Sequence, residues 1–166
     1  MTAKKSEFVV DVPVIQNSPL GLELTPAQCD RLAAIATASC LDKGMFLLEE
    51  GHKDDSIHVI TSGELEVVKA TGGGEWVTLQ LLRPGDMAGE LGFIDGLEHS
   101  AGIRALGYAE VFSLARQDLE RLLNDDPKLV YQVMRAITRT VHAILRRMNM
   151  QFIEMTNYLT RNHGRY

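Results

Sequence analysis

The chain has 166 residues, 45% of them hydrophobic, and a formal net charge of −5. That fits one domain, or one domain with an appended element, with enough apolar material for a core. No apolar run is long enough to span a membrane, and the apolar part of "MTAKKSEFVVDVPVIQ" is too short and too broken, by Asp11 and Pro13, for a signal peptide, so the expected location is cytoplasmic.

Residues 1–24 show no clear period and read as an N-terminal lead-in. "LTPAQCDRLAAIAT" then starts a helix. Thr25 is a good N-cap, Pro26 suits the first helical position, and Gln28 completes a capping-box spacing. Leu32, Ile35 and Ala36 fall on one face. Cys29 and Cys40 form neither a C-x-x-C pair nor a Cys/His cluster, so they are expected to be reduced, structural thiols.

From about Ser39 short apolar stretches alternate with turn signals: "MFLL" and "EEGHKDD", "SIHVI" and "TSG", "ELEVVKA" and "TGGGE", "WVTLQLL" and "RPGD". "GIRALGY" and "AEVFSLA" follow after an interruption. Seven or eight short strands in about eighty residues predict a mainly β fold, an antiparallel jelly-roll barrel. It is flanked by the N-terminal helix, a short helix ("RQDLERLLNDDP") and a long C-terminal helix from Lys128 to about Leu159. The expected division is a lead-in (1–24), the barrel domain (25–127), the long helix (128–160) and a tail (161–166).

In the long helix Val130, Met134, Ile137, Val141, Ile144 and Met148 recur at spacings of four and three, a heptad seam. Leu145, Phe152 and Leu159 form a second row. A helix this long cannot bury both stripes on a small barrel, which predicts a homodimer through residues 128–160; the alternative is that both stripes pack on the parent domain. Residues 131–166 carry +5 and the rest −10. An acidic body predicts no direct nucleic-acid binding. The six tail arginines either line a solvated face and pair with the acidic body, or meet an acidic partner or a nucleic acid.

The interruption between strands reads "GELGFIDGLEHSAGIRA", Gly89 to Ala105. Gly89 allows close backbone approach, "ELGF" can open one helical turn, Glu90 is an acceptor, and the Ser100 hydroxyl and Ala101 N–H are donors. Together with "LLEEGHKDDSIHVITSGELEVVK", Leu47 to Lys69, and the flanking helices, this stretch resembles the cyclic-nucleotide-binding domain family of catabolite-activator-type regulators, kinase regulatory subunits and gated channels. The likeness covers about residues 25–160. It implies a phosphate-binding cassette in which Gly89, Glu90 and Leu91 fill the start, Gly92 is the small residue, and Ser100 and Ala101 follow His99 after a five-residue gap.

What the resemblance implies is a non-catalytic sensor of cyclic AMP or cyclic GMP, with Gly89, Glu90, Leu91, His99, Ser100 and Ala101 as ligand residues and Glu90 facing the ribose. No tightly bound cofactor and no metal site is expected. His99 stands where the family has Arg. An arginine brings a permanent charge and a two-pronged fork; histidine is mostly neutral at pH 7. Weakened, pH-dependent binding is the expectation. Arg104 cannot replace His99 on the same strand path. Ala88 is smaller than the family's usual residue. The helix turn near Ala143, Ile144 and Leu145 is expected to cover the base, with Thr138 and Thr140 as weaker candidates. His52, His58, His142 and His163 show no metal spacing and read as surface or pairing residues.

Two other functions stay open: a non-binding descendant serving as a dimerisation and protein-interaction module, and the ligand-binding part of a transcription regulator, since "TRNHGRY" is too short for a helix-turn-helix domain. A partner effector protein is compatible with all three.

Overall fold

The computed structural model describes residues 4–5 and 9–163; residues 1–3, 6–8 and 164–166, parts of the expected lead-in and tail, lie outside the described residues. The elements in chain order are β1 (Lys4–Lys5), α1 (Val12–Gln16), α2 (Pro26–Ile35), β2 (Thr37–Leu41), β3 (Phe46–Leu48), β4 (Ser56–Ser62), β5 (Leu65–Ala70), β6 (Trp76–Leu82), β7 (Met87–Ala88), α3 (Glu90–Asp95), β8 (Gly102–Ala105), β9 (Ala109–Ala115), α4 (Arg116–Arg121) and α5 (Pro127–His163).

Helix α2 starts as its sequence dictates. Gln28 N donates to Thr25 Oγ1 at 3.3 Å, and Thr25 N donates back to Gln28 Oε1 at 3.1 Å. The β4–β5 turn needs Gly63. Its φ is +80°, and a β-carbon there would fall 2.3 Å from the Tyr108 carbonyl oxygen.

The strands form two antiparallel sheets, ordered β1-β2-β9-β4-β7 and β3-β8-β5-β6. This is the expected jelly-roll arrangement with flanking helices, with one correction: the sheets do not close into a barrel. Among the described residues no ladder joins them: β7 is two residues long and pairs with β4, while β6 pairs with β5.

Alternation along the strands builds two cores. Leu41, Ile60, Leu65, Ile103, Ala109 and Val111 meet between the sheets. Ile57, Val59, Phe112 and Leu114 point from the other face of the larger sheet toward the helices, where they meet Leu32, Leu119, Leu129, Val133 and Ile137. Each fully buried aliphatic side chain contributes about 1.5–3 kcal/mol.

The segment read as a lead-in is partly core. Asp11 Oδ1 accepts from Val14 N at 3.1 Å and caps α1, which drives Ile15 into the helical core beside Leu20.

Helix α5 divides in two. Leu129, Val130, Val133 and Ile137 are buried against the domain, whereas Leu145, Met148, Phe152 and Met155 are all more than half exposed. The N-terminal part of the seam is therefore consumed within the chain. The row Leu145, Phe152 and Leu159 stays exposed. Arg135 and Arg139 pair with Glu23 of the acidic body.

Candidate functional site

The break between β7 and β8 is shaped by backbone sterics. Gly89 caps α3 with φ +80°; a β-carbon there would meet the Ser56 carbonyl oxygen at 2.7 Å and His58 Cδ2 at 3.1 Å. Phe93 N then donates to the Gly89 carbonyl at 2.9 Å, and α3 turns once before Gly96 ends it. Phe93 itself is buried in the helical core.

The strap after α3 is pinned by its backbone. His99 N donates to the His52 carbonyl at 2.9 Å, and Gly51 N donates to the His99 carbonyl at 2.8 Å. Lys69 Nζ holds the Ser100 carbonyl and reaches Glu50 Oε1 at 2.5 Å. That hydrogen bond, with one from Ala70 N, lowers the Glu50 pKa.

Helix and strap close around a cavity of about 440 Å³. Gly89, Glu90, Leu91, His99, Ser100 and Ala101 all line it, so the six candidate residues converge on one space. Leu48, Val67, Ile103, Ile144 and Met148 supply apolar wall. This is the size and character of a small-ligand site. Of the expected base-covering turn only Ile144 reaches the cavity, one turn before Met148. Leu145 is exposed, Thr140 lines a separate cavity with Gln80 and Met87, and the Thr138 hydroxyl donates to the Met134 carbonyl at 2.8 Å.

Charge in the cavity is unusual for an anion site. Glu90, Asp95, Glu98 and His99 line it, and no lysine or arginine does. Burial raises the Glu90 pKa. Burial lowers the His99 pKa, against opposing pulls from Asp54 and Asp95, and His99 Nε2 is buried with no hydrogen-bond partner. Arg104 is spent elsewhere: its Nε and Nη2 fork onto Glu66 Oε1 at 2.9 and 2.6 Å.

Behind the cassette lies a chain of polar groups with no signature in the sequence. His58 is buried, its Nδ1 is 2.6 Å from Ser113 Oγ, and its Nε2 is 3.4 Å from Asp54 Oδ2. Asp54 Oδ1 also accepts from Ser56 N at 2.7 Å. Burial pushes the Asp54 carboxyl up, but the His58 imidazole beside it and the hydrogen bond from Ser56 together hold it at about 2. Ser113 does not line the cavity, so this line of acid, imidazole and hydroxyl supports the cassette from outside. His58 is a pairing residue rather than a surface one. His52 and His142 are exposed, and the His163 side chain lies outside the described residues. Among the described residues no group of three His, Cys, Asp or Glu side chains could hold a metal.

The cyclic nucleotide-binding domain family model matches residues 39–126, more than half of the chain. The chain belongs to that family. As a cyclic nucleotide-binding domain it is similar to the cyclic AMP receptor protein of Thermus thermophilus, 26% identical over 75% of this chain and 58% of that protein. It is also similar to an uncharacterised NTE family protein of Mycobacterium tuberculosis, 29% identical over 75% of this chain but 21% of that one. The chain thus spans 58% and 21% of the length of these two curated relatives. A solved cyclic nucleotide-binding domain from Methylobacillus flagellatus shares the fold, with a TM-score of 0.77 and 23% identity over 87% of this chain and 81% of that one. No helix among the described residues is long and apolar enough to cross a membrane.

The site residues that sequence reasoning misses are the acids and the walls. Asp95 and Glu98 look like ordinary solvated loop acids in the sequence. Met148 fits the heptad seam, and its spacing carries no sign of the cavity. His58 and Asp54 carry no motif signal, because their partner Ser113 comes from a strand 55 residues away.

Proposed function

We propose that this chain is a non-catalytic regulatory domain of the cytoplasm that senses a cyclic nucleotide, cAMP or cGMP, through Gly89, Glu90, Leu91, His99, Ser100 and Ala101. The observation that carries this is the convergence of all six on one 440 Å³ cavity with apolar walls. Glu90 accepts from the ribose hydroxyl, and Ser100 and Ala101 donate to the phosphate. His99 is the one cationic group available to it. Replacing an arginine fork with one imidazole loses about one charge-assisted hydrogen bond, worth about 1.5–3 kcal/mol, or roughly ten- to a hundred-fold in affinity. Binding is therefore weak and improves as His99 protonates.

The output runs through the helices. Phe93 of α3 packs in the same core as Leu119 of α4 and Leu129, Val133 and Ile137 of α5. Arg116, the first residue of α4, donates to the Phe93 carbonyl at 3.3 Å and pairs with Asp55 at 2.8 Å. A shift of α3 on ligand binding is passed to α4 and α5, changing a homodimer seam or a surface for an effector protein. The exposed apolar half of α5 supports the dimer.

The acidic lining favours a second reading, a non-binding descendant kept as a dimerisation and interaction module. A third, the ligand-binding part of a transcription regulator, is supported by the likeness to a cAMP-activated global transcriptional regulator of Salmonella typhimurium, 27% identical over 66% of this chain. Calorimetric titration with cAMP and cGMP at pH 7 separates the first from the second. Saturable heat supports the sensor; none up to millimolar ligand overturns it in favour of the module.

A further inference from the structure

Three carboxylates line the cavity, Glu90 half-buried and Asp95 and Glu98 exposed at its rim, with one imidazole among them. Three permanent cations around the strap are engaged: Lys69 by Glu50 and the Ser100 carbonyl, Arg104 by Glu66, and Arg116, beside Gly96, by Asp55 and the Phe93 carbonyl. Arg147 faces an adjoining groove that it shares with Asp86. A cyclic phosphodiester brought here remains an anion among carboxylates, and withdrawing it from water without a paired cation is costly. A ribonucleoside carries no charge. Its sugar has three hydroxyl donors where a cyclic nucleotide has one, and ionised carboxylates only accept. The unpartnered His99 Nε2 can accept from a hydroxyl or donate to one, depending on its tautomer, whereas a phosphate oxygen can only accept.

From this donor–acceptor match we infer that the cavity prefers an uncharged ribonucleoside to the corresponding cyclic nucleotide. The inference rests on the proposal that this cavity is a nucleotide-type site, and it names the ligand class. The groups that set the preference around His99 are Asp95 of α3, Glu98 of the strap, Asp54 before β4 and His58 of β4.

The test is competition calorimetry on the full chain at pH 8 and pH 6, with adenosine against cAMP and guanosine against cGMP. The nucleoside of the better-bound pair is expected to bind about tenfold or more tighter at pH 8, with the gap narrowing at pH 6 as the cyclic nucleotide gains. Asp95→Asn with Glu98→Gln narrows the gap at pH 8. If the cyclic nucleotide binds tighter than its nucleoside at pH 8, the inference fails while the cyclic-nucleotide proposal stands. If none of the four binds up to millimolar concentration, both fail.

Discussion

The His99 imidazole lies against the backbone of Gly92, so closely that a β-carbon at position 92 would sit 2.8 Å from His99 Cε1 and 3.0 Å from the Asp54 carbonyl oxygen. One contact is a side chain that can turn; the other is backbone held by β4. Gly92→Ala therefore forces the ring off its seat and strains the α3–β4 junction. The expected cost is about 1–3 kcal/mol, read by urea denaturation, with a weakened response to ligand. Unchanged stability would show that the helix and strap shift freely.

His99→Arg supplies the permanent, forked charge that the cavity lacks. It is expected to tighten cAMP or cGMP binding at pH 8 by roughly ten- to a hundred-fold and to abolish any difference between pH 6 and pH 8. Calorimetry on the variant measures both. An unchanged affinity would mean that the phosphate lies away from position 99.

Asp54 titrates at about 2, below its ordinary 3.8. Its folded pKa is thus depressed, so its contribution to stability is complete above about pH 4 and is lost as pH falls toward about 2. Holding a carboxyl tenfold more acidic in the folded state stabilises the fold by about 1.36 kcal/mol, and solvent screens part of that here because the side chain is 32% exposed. Asp54→Asn is expected to cost about 1–2 kcal/mol at pH 7, with the difference from the parent shrinking as pH falls through about 2 and vanishing below it. Denaturation midpoints across that range are the check; an equal loss at both ends would point to a packing role instead of a charge role.

Leu145 and Phe152 are 52% and 66% exposed. Introducing glutamate at both leaves the core untouched. Light scattering is expected to give twice the 18.4 kDa chain mass for the parent protein and one chain mass for Leu145→Glu with Phe152→Glu. A parent protein that is monomeric at tens of micromolar would remove the dimer.

The regular grammar of turns and alternating strands makes the jelly roll legible, and the capping box at Thr25 and Gln28 locates α2 to the residue. The cassette is legible because Gly89, Gly92 and the run His99, Ser100 and Ala101 occur at fixed spacing. What stays hidden depends on distant parts of the chain. Ile15 sits in a five-residue helix, too short for any period to register, and is buried only because α2 and α5 meet over it. The heptad row of α5 looks continuous; its first half is used up by the domain's own sheet and helices, which no local pattern can indicate. That the sheets stay open follows from β7 being too short to bridge them. The acidity of the cavity is a sum over α3 and the strap. It emerges only when the fold places Asp95 and Glu98 beside His99 and commits Lys69 and Arg104 to other partners.

The most direct measurement is the affinity of the unmodified protein for cAMP and cGMP at pH 6 and at pH 8, by calorimetry. Tighter binding is expected at pH 6, because His99 is the one imidazole among the described residues lining the cavity, and a bound phosphate works against the burial that lowers its pKa and draws a proton onto the ring. Equal affinity at the two pH values, or tighter binding at pH 8, would contradict His99 as the phosphate anchor.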